Sequence, residues 1–437
     1  MEELQPEARR HLTRNYVLGV LNGGIFSFGD ALQDTNLVLS VFVSRLSGSN
    51  VLVGFLQPIR LGGWFLPQLL LSGHVQGAPA KLPYYRLAAA ARISAAFGLA
   101  IAALTVRHSG LLLVLIFLFL AAFSLMGGLS GIAFMDIVAK TIPSRSRGRY
   151  FAWRMFLGGV LALGGSFIIR HVLSQSSGLS FPTNYGVLFL LGAVAIAVSM
   201  TAFALVREPA DGKVQPRASL LHQLRRASSL PRRDHNYRNF LLARIFLMVA
   251  EIASPFYIIY ASSVMGLPAS LAGTYLLVST VASVSSTYFW GQMSDRTGNR
   301  AVIRLVCALG AGAPALGLAA LPLSHLWSAQ AQVLSSLVFG AVFVLLGVSR
   351  TGMTMGGMAF LLDVAPPDDR PIYLGFTNTL IGVASLANVF GGVLIEAFSY
   401  QALFALALVL YLVAGVAISR AAEPRGLQAA EEGAALA

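Results

Sequence analysis

Long apolar stretches, broken by short polar connections, run along nearly the whole chain. Twelve of them lie at Tyr16–Phe42, Val51–Val75, Arg86–Val106, Leu111–Asp136, Tyr150–Val172, Tyr185–Val206, Asn239–Val264, Pro268–Gly291, Ala301–Leu321, Ala331–Leu362, Ile372–Phe398 and Gln401–Ser419. Most reach or exceed the roughly 20 residues that carry an α-helix across a bilayer core. Pro58, Pro67, Pro255 and Pro314 fall inside them, and membrane helices tolerate such residues. The pattern predicts an all-α membrane protein of twelve transmembrane helices.

Composition strengthens that reading. Of the 437 residues, 56% are hydrophobic and 11% charged, against roughly 25% charged in a soluble domain. So much apolar surface cannot be hidden in one globular core. The start mixes Glu2, Glu3 and Glu7 with Arg9, Arg10 and Arg14 and lacks a small-residue cleavage pattern, so no cleavable signal peptide is expected. A single cysteine, Cys307, excludes an intramolecular disulfide and a cysteine-based metal cluster.

The net charge of +13 raises nucleic acid as a partner, and its placement argues against one. Lys81, Arg86, Lys140, Arg145, Arg147, Arg149, Arg296, Arg300, Arg304, Arg370, Arg420 and Arg425 share one set of connections with the basic N-terminus. The opposite set holds Arg45, Arg107 and Arg170. By the positive-inside rule both termini are expected in the cytoplasm, in the plasma (inner) membrane. Residues 207–238 form the longest polar stretch, with Arg225-Arg226 and Arg232-Arg233. They divide the chain into six-helix halves at 1–206 and 239–437. Leu220, Leu221 and Leu224 beside the first Arg pair suit a short interfacial helix on anionic lipid heads.

The halves read as weak repeats. Asn15-Tyr16 opens one and Asn236-Tyr237 the other; fourteen residues past each Tyr stand Asp30 and Glu251. Gly131-Ile132-Ala133-Phe134 leads to Asp136, and Gly357-Met358-Ala359-Phe360 to Asp363. Pro143, Arg147 and Tyr150 share their spacing with Pro366, Arg370 and Tyr373.

Between two apolar stretches lies Gly291-Gln292-Met293-Ser294-Asp295-Arg296-Thr297-Gly298-Asn299-Arg300. A helix-ending Gly, an Asp and basic residues at fixed offsets suit a loop that locks two membrane helices at the cytoplasmic surface. The pattern G-x-x-x-D-R-x-G-x-R resembles the loop signature of the major facilitator superfamily of secondary transporters. The resemblance implies two pseudo-symmetric six-helix halves with solute bound between them near the midplane. It also implies a conformational latch, for which we nominate Gly291, Asp295, Arg296, Gly298, Arg300, Asp136, Arg147 and Arg370. The sister loop Gly73–Lys81 has Gly77 and Ala78 where Asp295 and Arg296 stand, so the signature is complete in one half. The fifth span holds Gly158, Gly159, Gly164 and Gly165 without the Pro of the G-x-x-x-G-P-x-x-G-G pattern of drug/proton antiporters, which tilts against that subgroup.

Ionisable groups at the midplane cost roughly 2.5–3.5 kcal/mol, so they face a cavity or a partner. At 1.5 Å per residue Asp30 lies ~21 Å into its span, and Glu251 slightly less. Both are candidates for proton coupling. Arg60 and Arg350 are also central and, with Asp34 one turn beyond Asp30, are candidates for substrate binding. The alternative for each is an internal ion pair holding helices in register. Arg154 and Arg244 lie nearer the ends, where snorkelling accounts for them. There is no H-E-x-x-H, P-loop or Gly-x-Ser-x-Gly pattern, so neither an enzyme nor a self-contained ATP-driven pump is expected, and no cofactor. The expectation is a monomeric secondary transporter of a small-molecule solute. Its rivals are an ion-independent facilitator and a non-transporting receptor or lipid-handling protein on the same fold.

Overall fold

The computed structural model describes residues 9–65, 78–209, 228–326, 331–366 and 369–424. Among these the chain is helical, with no strand. It divides into two compact units, Met1–Leu220 with Pro268–Leu277, and Leu221–Leu267 with Val278–Ala437.

The first unit begins with α1 (Leu12–Leu32), a π-helical segment (Thr35–Leu39), α2 (Ser40–Ser47), α3 (Asn50–Gly54) and the helical residues 56–65. It continues with α4 (Leu82–Thr105), α5 (Ser109–Thr141), α6 (Ser144–Val172) and α7 (Thr183–Ala204). In the second unit α8 (His235–Ala250) passes through a 3-10 turn (Glu251–Ala253) into α9 (Ser254–Ser263). Then come α10 (Leu271–Thr297), whose first residues belong to the first unit, α11 (Asn299–Leu326) and α12 (Ala331–Val364). Next, α13 (Arg370–Ser385) and a 3-10 turn (Leu386–Val389) lead to α14 (Phe390–Ala397) and α15 (Tyr400–Ser419).

Nine segments among the described residues are long and apolar enough to cross a membrane. They match nine of the twelve expected spans. The other three depart for visible reasons. The first is interrupted after Leu32. The second runs into residues 66–77, outside the described part. The eighth, α10, carries Ser279, Thr280, Ser283, Ser285, Ser286 and Thr287, which lower its apolar character.

Packing repeats between the units. In the first, α1 packs on α7, α7 on α4, and α4 on α5; in the second, α8 packs on α15, α15 on α11, and α11 on α12. Without a hydrophobic drive between helices in lipid, small residues that allow close approach hold such pairs. Gly19, Gly23 and Gly24 of α1 seat Tyr150, Arg154 and Leu157 of α6, and Gly29 meets the carbonyl of Gly192 on α7. Asn22 is buried among four helices. Its Nδ2 donates to Ser199 O and Oγ, both at 2.9 Å, and to the Tyr85 hydroxyl at 3.4 Å, while its Oδ1 accepts from Arg154 at 3.1 Å. Large apolar side chains such as Val114, Leu118, Phe156 and Phe167 point outward, the surface expected to meet lipid.

Candidate functional site

The opening helix of each half is broken at its carboxylate. In the first unit α1 ends at Leu32, two residues beyond Asp30, and the backbone restarts as a π segment. In the second, Glu251 is the first residue of the 3-10 turn that separates α8 from α9, with Pro255 in the first turn of α9. Departures from α geometry inside a membrane helix free backbone groups and mark functional positions.

Each carboxylate meets an arginine. Arg60, on the helical residues 56–65, donates to Asp30. Arg350 of α12 donates to Glu251 at 3.0 Å, and Ser254 Oγ donates to the same Glu251 oxygen at 2.5 Å. The carboxylates therefore occupy matching places while the arginines come from different helices of their units. Neither pair is fully buried within its own unit: the Asp30 side chain is 39% exposed and that of Arg350 52%.

Asp34 does not continue the α1 face one turn beyond Asp30. It caps the π segment, its Oδ1 accepting from the backbone N–H of Asn36 at 2.9 Å and of Leu37 at 2.8 Å. The helix break, invisible in a straight-helix count, turns it from the expected face. Arg154 does not snorkel either. It reaches inward to Gly19 O and Asn22 Oδ1 and lies 4.5 Å from the Phe134 ring centroid.

The ten-residue signature is mostly helix. α10 runs past Gly291 to Thr297, so the turn is made by Gly298 at φ +83°, a conformation that favours glycine. Gly291 has open space around it. Asp295 and Arg296 are exposed and make no hydrogen bond or ion pair among the described residues. The contacts fall on their neighbours. Ser294 Oγ donates to Asn299 Oδ1 at 2.7 Å, and Asn299 Nδ2 donates to Asp363 at 2.8 Å. The Arg300 side chain caps α15 through Ser419 O at 2.8 Å, and its backbone N–H donates to Glu423 at 2.8 Å. Arg147 caps the end of α5 through Ala139 O and Ile142 O. Asp136 lies part-buried near that end of α5, and exposed Arg370 opens α13.

The first unit has a counterpart that the sequence reading missed. Glu208, just past α7, accepts from the backbone N–H of Lys81 (2.8 Å) and Leu82 (2.7 Å) at the start of α4, and from Lys140 Nζ at 2.7 Å. Glu423, just past α15, likewise accepts at the start of α11. Each Glu precedes a Pro. Asn15 bonds both ways with the backbone of Arg207, and Asn236 accepts from Ala422 N–H. In each unit the same clasp ties the start of the first helix, the chain after the sixth and the start of the third. Gly73–Gly77 of the first-half loop and the Arg225-Arg226 linker segment with Leu220, Leu221 and Leu224 lie outside the described residues.

A family model described as Major Facilitator Superfamily matches residues 25–346. The chain belongs to the Major Facilitator Superfamily. A D-xylose-proton symporter superposes with a TM-score of 0.70 at 16% identity, covering 95% of this chain and 99% of that one. A nucleoside transporter, NupG, gives 0.68 at 15% identity, covering 93% and 99%. A bacterial homologue of the iron transporter ferroportin, in an inward-facing state, gives 0.67 at 14% identity, covering 94% and 98%. In sequence, the uncharacterized protein Rv2209 of Mycobacterium tuberculosis is 23% identical over 393 residues, covering 86% of this chain and 70% of its own length. This member of the superfamily is a secondary transporter with a multi-pass helical membrane domain.

Proposed function

We propose that this transporter moves a small solute by alternating access of two halves, 1–206 and 239–437, joined by a cytoplasmic linker at 207–238, and that Asp30 and Glu251 couple the movement to protons. One observation carries the coupling: each half opens with a helix broken at a carboxylate that an arginine holds. A carboxylate that passes between a dry and a wet setting changes its proton affinity, and its arginine is released or held accordingly. The fold by itself names no cargo, since a D-xylose-proton symporter, a nucleoside transporter and a bacterial homologue of the iron transporter ferroportin share it.

The test is solute uptake against pH in proteoliposomes, with the solute chosen by its power to raise the melting temperature, because a ligand of the folded state stabilises by mass action. Asp30→Asn and Glu251→Gln should lose gradient-driven accumulation and keep solute exchange. If both accumulate with the wild-type pH profile, the pairs are structural and the ion-independent facilitator is the better reading. Saturable flux of any solute counts against a receptor. For the inner-membrane topology, cysteines at Ser176 and Ser228 should label from opposite sides of intact cells; labelling from one side removes the twelve-span arrangement.

A further inference from the structure

The first unit carries a buried cation that the transport reading has not used. Arg92 lies near the middle of α4 and is 3% exposed. It makes no ion pair among the described residues. One Nη donates to Ser130 Oγ at 3.2 Å, and its Nε has no hydrogen-bond partner among the described residues. Instead aromatic rings surround it. Its Cζ lies 4.2 Å from the centroid of Phe123, 5.0 Å from Phe26 and 5.9 Å from Trp64. The opposing surface is shaped for this: a Cβ on Gly127 would come within 2.9 Å of Trp64.

The same Phe123 ring takes a second guanidinium, Arg60, at 5.3 Å. Two arginines therefore share one ring, and the one carboxylate beside them, Asp30, pairs with Arg60. The cluster holds one positive charge more than it neutralises, at a depth where an unpaired charge is expensive. Cation–π contacts supply about 0.5–2 kcal/mol each, while a bidentate oxyanion would satisfy the free N–H as well. A cavity the size of one water molecule, lined by Gln33, Arg60, Phe119 and Phe123, lies beside Arg60. Arg92 is thus buried behind the rings, while the Arg60 side chain keeps 22% of its surface exposed.

We propose that Arg92 and Arg60, with the rings of Phe26, Trp64 and Phe123, form a binding site for a monoanionic organic solute, its carboxylate on the guanidiniums and its apolar body on the aromatic faces. The single excess charge selects one negative group, and the aromatic walls select an apolar remainder. The proposal names the cargo class and rests on the reading of the chain as a solute carrier. Its test measures binding without flux, so the two fail separately.

Full-length protein is melted with acetate, benzoate and 2-naphthoate, each against its neutral amide, and with inorganic phosphate. At least one carboxylate should raise the melting temperature with concentration well beyond its amide and beyond phosphate. Arg92→Lys keeps the charge and loses the planar fork, and should weaken the apparent Kd roughly tenfold or more. Asp30→Asn removes the competing carboxylate and should tighten it. If every acid matches its amide, if phosphate does as well as the acids, or if Arg92→Lys binds like wild type, the site is not an organic-anion site. Should Arg92→Lys fail to fold, the wild-type acid–amide comparison and Asp30→Asn still decide. Acid binding that persists while both carboxylate variants keep the wild-type pH profile of uptake would leave the anion site standing and remove proton coupling.

Discussion

Replacing Glu208 by Ala should be among the most damaging single changes in the first unit. The Glu208 side chain is 1% exposed and receives the N–H groups of Lys81 and Leu82 together with the Lys140 ammonium. Its loss uncaps α4, costing about 1 kcal/mol. It also takes one charged partner from Lys140, whose side chain is only 15% exposed. Losing a charged hydrogen bond of this kind costs about 1.5–3 kcal/mol. Lys140 has a flexible stem that can lead it back to water, so the lower end of that range applies. At about 2–4 °C per kcal/mol for a unit near 200 residues, the melting temperature should fall on the order of 10 °C. Glu423→Ala is the internal control. Glu423 accepts one backbone N–H at 2.8 Å, and its Oε1 has no partner among the described residues, so its loss should cost about 1–2 kcal/mol. Differential scanning fluorimetry of the purified variants reads both. A Glu208→Ala protein that melts no lower than Glu423→Ala would refute the assignment of Lys140 and α4 to this carboxylate.

Asn22→Ala breaks the four-helix junction at Ser199, Tyr85 and Arg154 and should cost about 2 kcal/mol, read as a drop of roughly 5 °C. Gly298→Ala places a Cβ at φ +83° and against the Glu423 carboxylate; it should lose about 1–2 kcal/mol, and unchanged melting would mean the turn relaxes freely. Asp363→Ala should lower the melting temperature because it frees Asn299. Asp295→Ala, at an exposed position, should leave melting unchanged and slow transport; transport at the wild-type rate would show that Asp295 does not latch a conformational state.

The helical membrane fold was legible because lipid forces every backbone polar group to be satisfied within a segment, so apolar length alone carries most of the signal. The site was legible only in part. Asp30 and Glu251 stood out because a charge in an apolar stretch is rare. The helix breaks beside them left no mark in hydropathy, although two weaker signs were present: the polar run Gln33-Asp34-Thr35-Asn36, and Pro255 where a new helix begins. A straight-helix count therefore misplaced Asp34. Arg92 obeys the same rule that singled out Arg60, but it sits in an Ala-rich stretch whose length and character were otherwise ordinary. Glu208 fell in the stretch read as linker, and Glu423 lay past the last expected span. Only the fold shows that each returns to cap a helix distant in sequence, and their shared Glu-Pro setting was the available clue.

The internal repeat separates what the fold requires from what this chain adds. The Glu cap on the third helix and the Asn bond to the chain after the sixth recur in both units. Features that recur at the same topological place serve the architecture common to the halves. Arg92 does not recur. Counting eleven residues from the capped N–H of Lys81 gives Arg92, and the same count from Arg300 gives Ala311, a buried small residue. The third helix of a half therefore packs without a cation at this depth. In the first unit it carries one anyway, at a cost of roughly 2.5–3.5 kcal/mol that helix packing alone does not require. A charge that the architecture can do without, ringed by aromatics and beside the Asp30–Arg60 pair, belongs with the cargo rather than the scaffold. Transferring it should then be asymmetric: Arg92→Ala should keep the folded bundle and abolish the carboxylate-induced rise in melting temperature, whereas Ala311→Arg should destabilise the second unit and create no such response. A folded Ala311→Arg protein with doubled carboxylate binding would show that position alone makes the site, and would remove the aromatic ring cluster from the argument.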